Sequence, residues 1–202
     1  ALYLHALMIA DGLGVDASNI RTVQNTAGGT FDYKFCPTIE ALVGVACIAT
    51  QRPVYLEYDY EQFITYTGKR SPFFTWLKLG ADKDGRLIAM ETDWIVDHGA
   101  YSEFGDLLTH KGAQFIGAGY DIKNIRGRGR TVCTNHAWGA PFRGYGAPES
   151  EFPSESLMDE LSEKIGMDPL EFRYLNVYRP GAATPTGQVP EVFTLPELID
   201  LI

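Results

Sequence analysis

The alternation of apolar and polar positions divides the chain into a mixed first part and a helical last third. Residues 1–10 are apolar enough for successive turns of a helix, with no capping residue ahead of them. Segments 20–24 and 53–58 hold β-branched or aromatic residues and predict short strands. Thr38 is placed to cap a helix running to about Ala49, apolar on nearly every side and therefore expected to be buried. Segments 74–81 and 87–96 flank Asp82-Lys83-Asp84-Gly85, where glycine supplies the positive φ of a tight turn, so the two predict a hairpin. Segment 125–135 is a further strand candidate, weakened by Gly127 and Gly129.

Helical spacing takes over near the C-terminal end. Leu157, Met158, Leu161 and Ile165 share one face, and Gly166 is placed to end their helix. Asp168, Pro169 and Glu171 predict the start of the next, with Leu170, Tyr174 and Val177 as its apolar stripe. The prolines and glycines of 179–190 predict a surface loop. Thr194 and Glu197 form a capping-box pattern ahead of Leu198, Ile199, Leu201 and Ile202. Strands first and helices later imply an α+β architecture of mixed sheet and helices. A chain that opens inside one helix and stops after about two turns of another is expected to be part of a larger subunit. Residues 1–202 then form a partial region truncated at both ends, with a possible internal division near 150.

Composition narrows the partners. The 202 residues carry a net charge of −9, which argues against a nucleic-acid backbone as partner. The one basic cluster, Arg126, Arg128 and Arg130, alternates with glycine and fits a solvated strand face. No apolar run approaches the roughly 20 residues that span a bilayer, so no membrane partner is expected. No leader of basic residues followed by an apolar stretch is visible, and the expected location is the cytoplasm. Cys36, Cys47 and Cys133 are too scattered for a disulfide or metal framework, and each is expected to be a small core residue. His5, His98, His110 and His136 lack metal-ligand spacing and are expected to be structural or exposed. Asp97 and His98 are neighbours on a strand, pointing to opposite sides, which disfavours an acid–base pair.

Two glycine-bearing loops hold the candidate chemistry. The first, 28–35, is Gly-Gly-Thr-Phe-Asp-Tyr-Lys-Phe between a strand candidate and a helix. Glycines there let backbone N–H groups approach an anion, although such a pair also serves as a plain tight turn. The second, 140–148, is Ala-Pro-Phe-Arg-Gly-Tyr-Gly-Ala-Pro. Its arginine offers a planar set of donors suited to phosphate or oxo groups, and its aromatics can wall a planar ligand. An arginine paired with a carboxylate and aromatics filling a core would give the same pattern.

Together these loops resemble the G-G-x-F-x-x-K and F-R-G-[FY]-G-x-P segments of the molybdenum subunit of the xanthine oxidase family. Segments 96–102, 124–127 and 166–171, with Arg173 and Asn176, are similar to that family in the same order. The similarity is greatest to the aldehyde-oxidising members of sulfate-reducing bacteria. The resemblance implies oxidation of aldehydes to carboxylic acids with water as the oxygen source. It implies a molybdenum–molybdopterin cytosine dinucleotide cofactor, and two [2Fe-2S] clusters whose cysteines lie outside this chain. Thr30, Phe31, Asp32, Pro141, Phe142 and Arg143 occupy the family's cofactor-binding positions, with Phe31 and Arg143 lining the molybdenum centre. Phe35 and Tyr145 occupy substrate-pocket positions. Phe35 stands where purine-oxidising members carry glutamate, and an aromatic that cannot hydrogen-bond a purine favours an aldehyde. Asp32 replaces a usual glycine, Ala140 and Pro141 replace smaller or hydroxylated residues, and Lys111 stands where many members have arginine. The family's general-base glutamate lies downstream, so no catalytic residue and no direct metal ligand is expected here, and the chain by itself is expected to be inactive. The implied partners are an aldehyde, an electron acceptor and further copies of the parent subunit. The alternatives are a relative acting on purines, other heterocycles or thioesters, and a non-catalytic module holding an anion.

Overall fold

The structure, a computed structural model, describes every residue except Ala1, Thr30, Asp32, Tyr33, Ser102 and Glu103. The chain forms two compact units. One comprises residues 1–71, 98–103 and 135–143; the other comprises 72–97, 104–134 and 144–202.

Among the described residues the first unit holds three α-helices, α1 (Leu2–Leu13), α2 (Glu40–Thr50) and α3 (Tyr60–Tyr66). α1 and α2 meet at Gly44, where a Cβ would lie 2.8 Å from Leu13 Cδ1. α2 starts one residue later than its sequence suggests, with Ile39 rather than Thr38 at the cap position. The Glu40 carboxylate, rather than the Thr38 hydroxyl, takes the amides of Thr38 and Ile39 at 2.8 and 3.1 Å. Nor is α2 buried: Leu42, Val45 and Ile48 are all exposed, because within this unit α1 covers only part of its apolar circumference. α3 begins with a capping box in which Asp59 and Gln62 bond each other's backbone amides. Segments 20–24 and 53–58 are not strands. Strand propensity expresses itself against a neighbouring strand, and all three named strands belong to the other unit.

The second unit is built on that three-stranded mixed sheet. β1 (Phe73–Ala81) and β2 (Leu87–Asp97) form the expected antiparallel hairpin, and β3 (Asn124–Val132) runs parallel to β2. At the turn, Asp82 Oδ1 accepts from the amides of Asp84 and Arg86, and Gly85 holds φ +85°. The strand glycines have a packing reason. Gly127 and Gly129 pair with Thr92 and Trp94, and a Cβ on Gly127 would lie 2.9 Å from Thr92 Cγ2. The alternating arginines behave as a solvated face, Arg126 bonding Glu91 at 3.0 Å and Arg130 bonding Asp93 at 2.8 Å.

Helices α4 (Gly105–Phe115), α5 (Ala147–Ile165), α6 (Pro169–Asn176) and α7 (Leu195–Asp200) complete this unit. The main core joins Leu87 and Met90 of β2 to Ile116, Tyr120, Met158, Phe172 and Val177. Each fully buried side chain of this size contributes on the order of 1.5–3 kcal/mol. α5 ends at Gly166, φ +71°, as the sequence predicts, and Asp168 caps α6 through the amides of Leu170 and Glu171. Of the apolar stripe expected for α6, Val177 is buried, but Leu170 and Tyr174 are exposed and Phe172 and Asn176 are buried in their place. Asn176 explains the shift: its amide donates to Gly85 O and accepts from Leu87 N, docking that face of the helix on the hairpin. Thr194 precedes α7 without a side-chain cap bond, its backbone being helical rather than extended. Cys36 is a core residue, whereas Cys47 and Cys133 are exposed.

Candidate functional site

The first unit brings the first glycine loop beside residues 140–143 of the second through a junction of small residues. Gly139 bridges Lys69 in parallel fashion: Lys69 N donates to Trp138 O at 3.1 Å, and Ala140 N donates to Lys69 O at 2.9 Å. Gly139 N also donates to His98 O at 2.9 Å, while His98 Nδ1 meets the Ser71 hydroxyl at 2.7 Å, fully buried. A Cβ on Gly139 would lie 2.7 Å from that Nδ1, and one on Gly68 would lie 2.6 Å from the Ala140 Cβ. Backbone this close leaves space only for glycine. Thus Arg70, 73 residues before Arg143 in sequence, is delivered beside Phe142 and Arg143.

The outcome is a closed ring of four residues, three of its links between side chains and the fourth to a backbone carbonyl. The Arg70 guanidinium lies 4.5 Å from the centroid of Phe142. Phe142 meets Phe31 edge to face, with centroids 6.4 Å apart and planes at 65°. The Arg143 guanidinium lies 5.9 Å from the centroid of Phe31. Arg70 Nη2 then donates to Arg143 O at 2.6 Å and closes the circuit. Phe31 and Phe142 remain 40% and 37% exposed, so they face outward instead of filling a core. Arg143 has no ion pair among the described residues. The tight first loop holds Gly28, Gly29 and Phe31 at φ +64°, +109° and +37°. For phenylalanine that backbone costs of order 1–3 kcal/mol, and a Cβ on Gly29 would already lie 2.5 Å from the Phe31 ring.

Other predicted positions fall as follows. Pro141 is buried behind Phe142 in the chain. Thr30 and Asp32 lie outside the described residues. Phe35 is half-buried, and its carbonyl is held by His5 Nε2 at 3.1 Å, whose Nδ1 meets Glu40 Oε1 at 3.0 Å. Lys34 bonds back to the carbonyl of Ala27. Tyr145 belongs to the second unit, where its ring packs on the Trp94, Val96 and Leu108 cluster. Gly144, Tyr145 and Gly146 hold φ +89°, +40° and +94° in succession. A Cβ on Gly146 would press against Gly112 N and Lys111 of α4. Lys111 itself bonds Gln114 at 2.9 Å.

His5 and His98 are buried and hydrogen-bonded, and His110 and His136 are exposed. Asp97 takes the Thr134 hydroxyl at 2.6 Å. Arg70 is the functional candidate that sequence reasoning misses, its only local signal being a turn-like Gly-Lys-Arg-Ser-Pro run.

Residues 1–177 match the family model described as molybdopterin cofactor-binding domain. The chain belongs to that family. Among molybdopterin-binding relatives, it is 65% identical over 199 residues to the aldehyde oxidoreductase of Megalodesulfovibrio gigas, covering 98% of this chain and 22% of the relative. It is 33% identical to the large molybdopterin subunit of nicotinate dehydrogenase from Eubacterium barkeri, covering 91% and 43%. The crystal structure of the aldehyde oxidoreductase from Desulfovibrio desulfuricans ATCC 27774 superposes with a TM-score of 0.96 at 67% identity, over 100% of this chain and 22% of that one. The molybdopterin-binding chain therefore spans less than half the length of each of these relatives.

Proposed function

We propose that this chain supplies part of the molybdopterin site of a larger enzyme that oxidises aldehydes to carboxylic acids. The observation that carries the reading is the Arg70–Phe142–Phe31–Arg143 ring, set on two glycine loops in a chain of the molybdopterin-binding family. The residues present suit such a group. Arg143 offers donors to anionic oxygens, the exposed faces of Phe31 and Phe142 suit a planar ring system, and the glycine backbone permits close approach. Thr30, Phe31, Asp32, Pro141, Phe142 and Arg143 would hold the cofactor, with Phe35 and Tyr145 toward the substrate.

When bound, the cofactor supplies a two-electron acceptor at molybdenum. The overall reaction takes an aldehyde and water to a carboxylic acid, two electrons and two protons. This chain's part is to bind and orient the cofactor through its arginine and its aromatic pair. The cytosine dinucleotide form, two [2Fe-2S] clusters, the general base, the final electron acceptor, self-association and a cytoplasmic location are part of the same proposal for the parent. Phe35 supports an aldehyde over a purine, since a phenyl ring gives a heterocycle no hydrogen-bond partner.

The test uses the purified full-length parent. Molybdenum and cytidine nucleotide should be present in equal amounts, and dye reduction should be fast with benzaldehyde and slow with xanthine or nicotinate. Preference for either heterocycle would replace the aldehyde reading. A parent without molybdenum would sink it.

A further inference from the structure

Arg70 lies outside both glycine loops, yet two of the four links in the ring pass through it. Its guanidinium stacks at 4.5 Å on the Phe142 ring and donates at 2.6 Å to the carbonyl of Arg143. One planar group thereby fixes a side chain and the next residue's peptide, which a lysine ammonium cannot do with a single point of charge. Arg70 is held in place by the backbone bonds of Lys69 with Trp138 and Ala140, and by the buried Ser71–His98 bond on its other side. Phe142 and Arg143 follow the buried Ala140 and Pro141 near the start of the second loop, and both are exposed.

We propose that Arg70 is a positioning residue that sets the pose of Phe142 and Arg143 toward the bound molybdopterin. The inference rests on the function proposed above. Arg70 acts through the two loop residues, so its loss leaves the Arg143 side chain present but badly aimed. A guanidinium aimed at an anion is effective only within a narrow range of direction. The damage then appears in how firmly the cofactor is held and how it is oriented, with the fold retained.

The experiment compares full-length wild type, Arg70→Lys, Arg70→Met, Arg143→Ala and the double variant Arg70→Met/Arg143→Ala. The readouts are molybdenum per subunit, the electron paramagnetic resonance spectrum of Mo(V), aldehyde kcat and KM, and the thermal midpoint. Each Arg70 variant should lose roughly threefold or more in molybdenum occupancy or kcat, with an altered Mo(V) spectrum. The double variant should be little worse than Arg143→Ala, because residues in one network do not act independently. Wild-type occupancy and spectrum in Arg70→Met, full rescue by lysine, or effects that simply multiply in the double variant would overturn the assignment. Should Arg70→Met fail to fold, Arg70→Lys against Arg143→Ala provides the same comparison. A wild-type parent without molybdenum would remove the proposed function itself. Normal wild type with insensitive Arg70 variants removes only this inference.

Discussion

The phenol of Tyr145 donates to the carbonyl of Phe104 at 2.8 Å, and both residues hold the left-handed backbone, at φ +40° and +58°. Phe104 caps α4 and Tyr145 lies two residues ahead of α5, so one bond ties the starts of two helices. Such backbone is uncommon outside glycine and persists where surrounding contacts impose it. Tyr145→Phe should lower the stability of the parent by about 1 kcal/mol. If Tyr145 also walls the pocket, KM for aldehydes should rise while molybdenum content holds. Denaturant titration and steady-state kinetics separate the two effects, and an unchanged midpoint would show the bond to be dispensable.

Two glycines should respond oppositely to alanine. Gly139→Ala forces a methyl group into the buried Ser71–His98 pair, an overpacking expected to cost about 1–3 kcal/mol. Gly12, near the end of α1, has nothing within 4 Å of a built Cβ. Gly12→Ala should stabilise by roughly 0.5–1 kcal/mol through reduced backbone freedom in the unfolded chain. Equal effects from the two would contradict the tight junction described for the first unit.

Arg143→Ala in the parent should lower molybdenum occupancy or turnover, since a positioned cation near an anionic group is hard to replace. Phe35→Glu should reduce kcat/KM for apolar aldehydes, because a carboxylate in the pocket must be desolvated or protonated. Unchanged benzaldehyde kinetics would place the Phe35 side chain away from the substrate.

Alkaline pH should destabilise the second unit through two tyrosines. Burial, then the nearby charge of Asp121, pushes Tyr178 up to about 12. Burial, then its hydrogen bond to Glu155, raises Tyr120 further. A raised folded-state value favours the neutral phenol, so this stability is present below pH of about 10, the unfolded value, and is lost as pH rises. For Tyr178 the loss falls between about 10 and 12. The Tyr178 hydroxyl has no hydrogen-bond partner among the described residues. Tyr178→Phe should therefore be neutral or stabilising at pH of about 7 and flatten the alkaline decline. A midpoint profile from pH 8 to 12 that matches wild type would rule this out.

The sequence is most legible where a signal is local. The Asp82–Gly85 turn, the Gly166 stop and the Asp168-Pro169 start each depend on neighbours within a few residues, and all three stand. Asp59 and Gln62 also announce α3 at capping-box spacing, a local signal that the aromatic run before it masks. Burial is harder to read. α2 is apolar almost throughout yet largely uncovered within its unit, because periodicity gives a helix its faces but not their partners. The two loops of the site are legible by resemblance to known segments. Arg70 is not, since a guanidinium stacked on a ring 72 positions away leaves no periodic trace.

The pairing of Lys69 with Gly139 also fixes an order of events during synthesis. The first unit cannot close until Trp138 to Ala140 has left the ribosome, by which time the β1–β2 hairpin and β3 are already available. Bringing ends so distant together is slow, and its chain-entropy cost precedes any contact that rewards it. The segment before Lys69 must wait for that partner, and Leu42, Val45 and Tyr55 stay open to solvent even once the unit has closed. During that interval its apolar side chains are free to meet those of other chains.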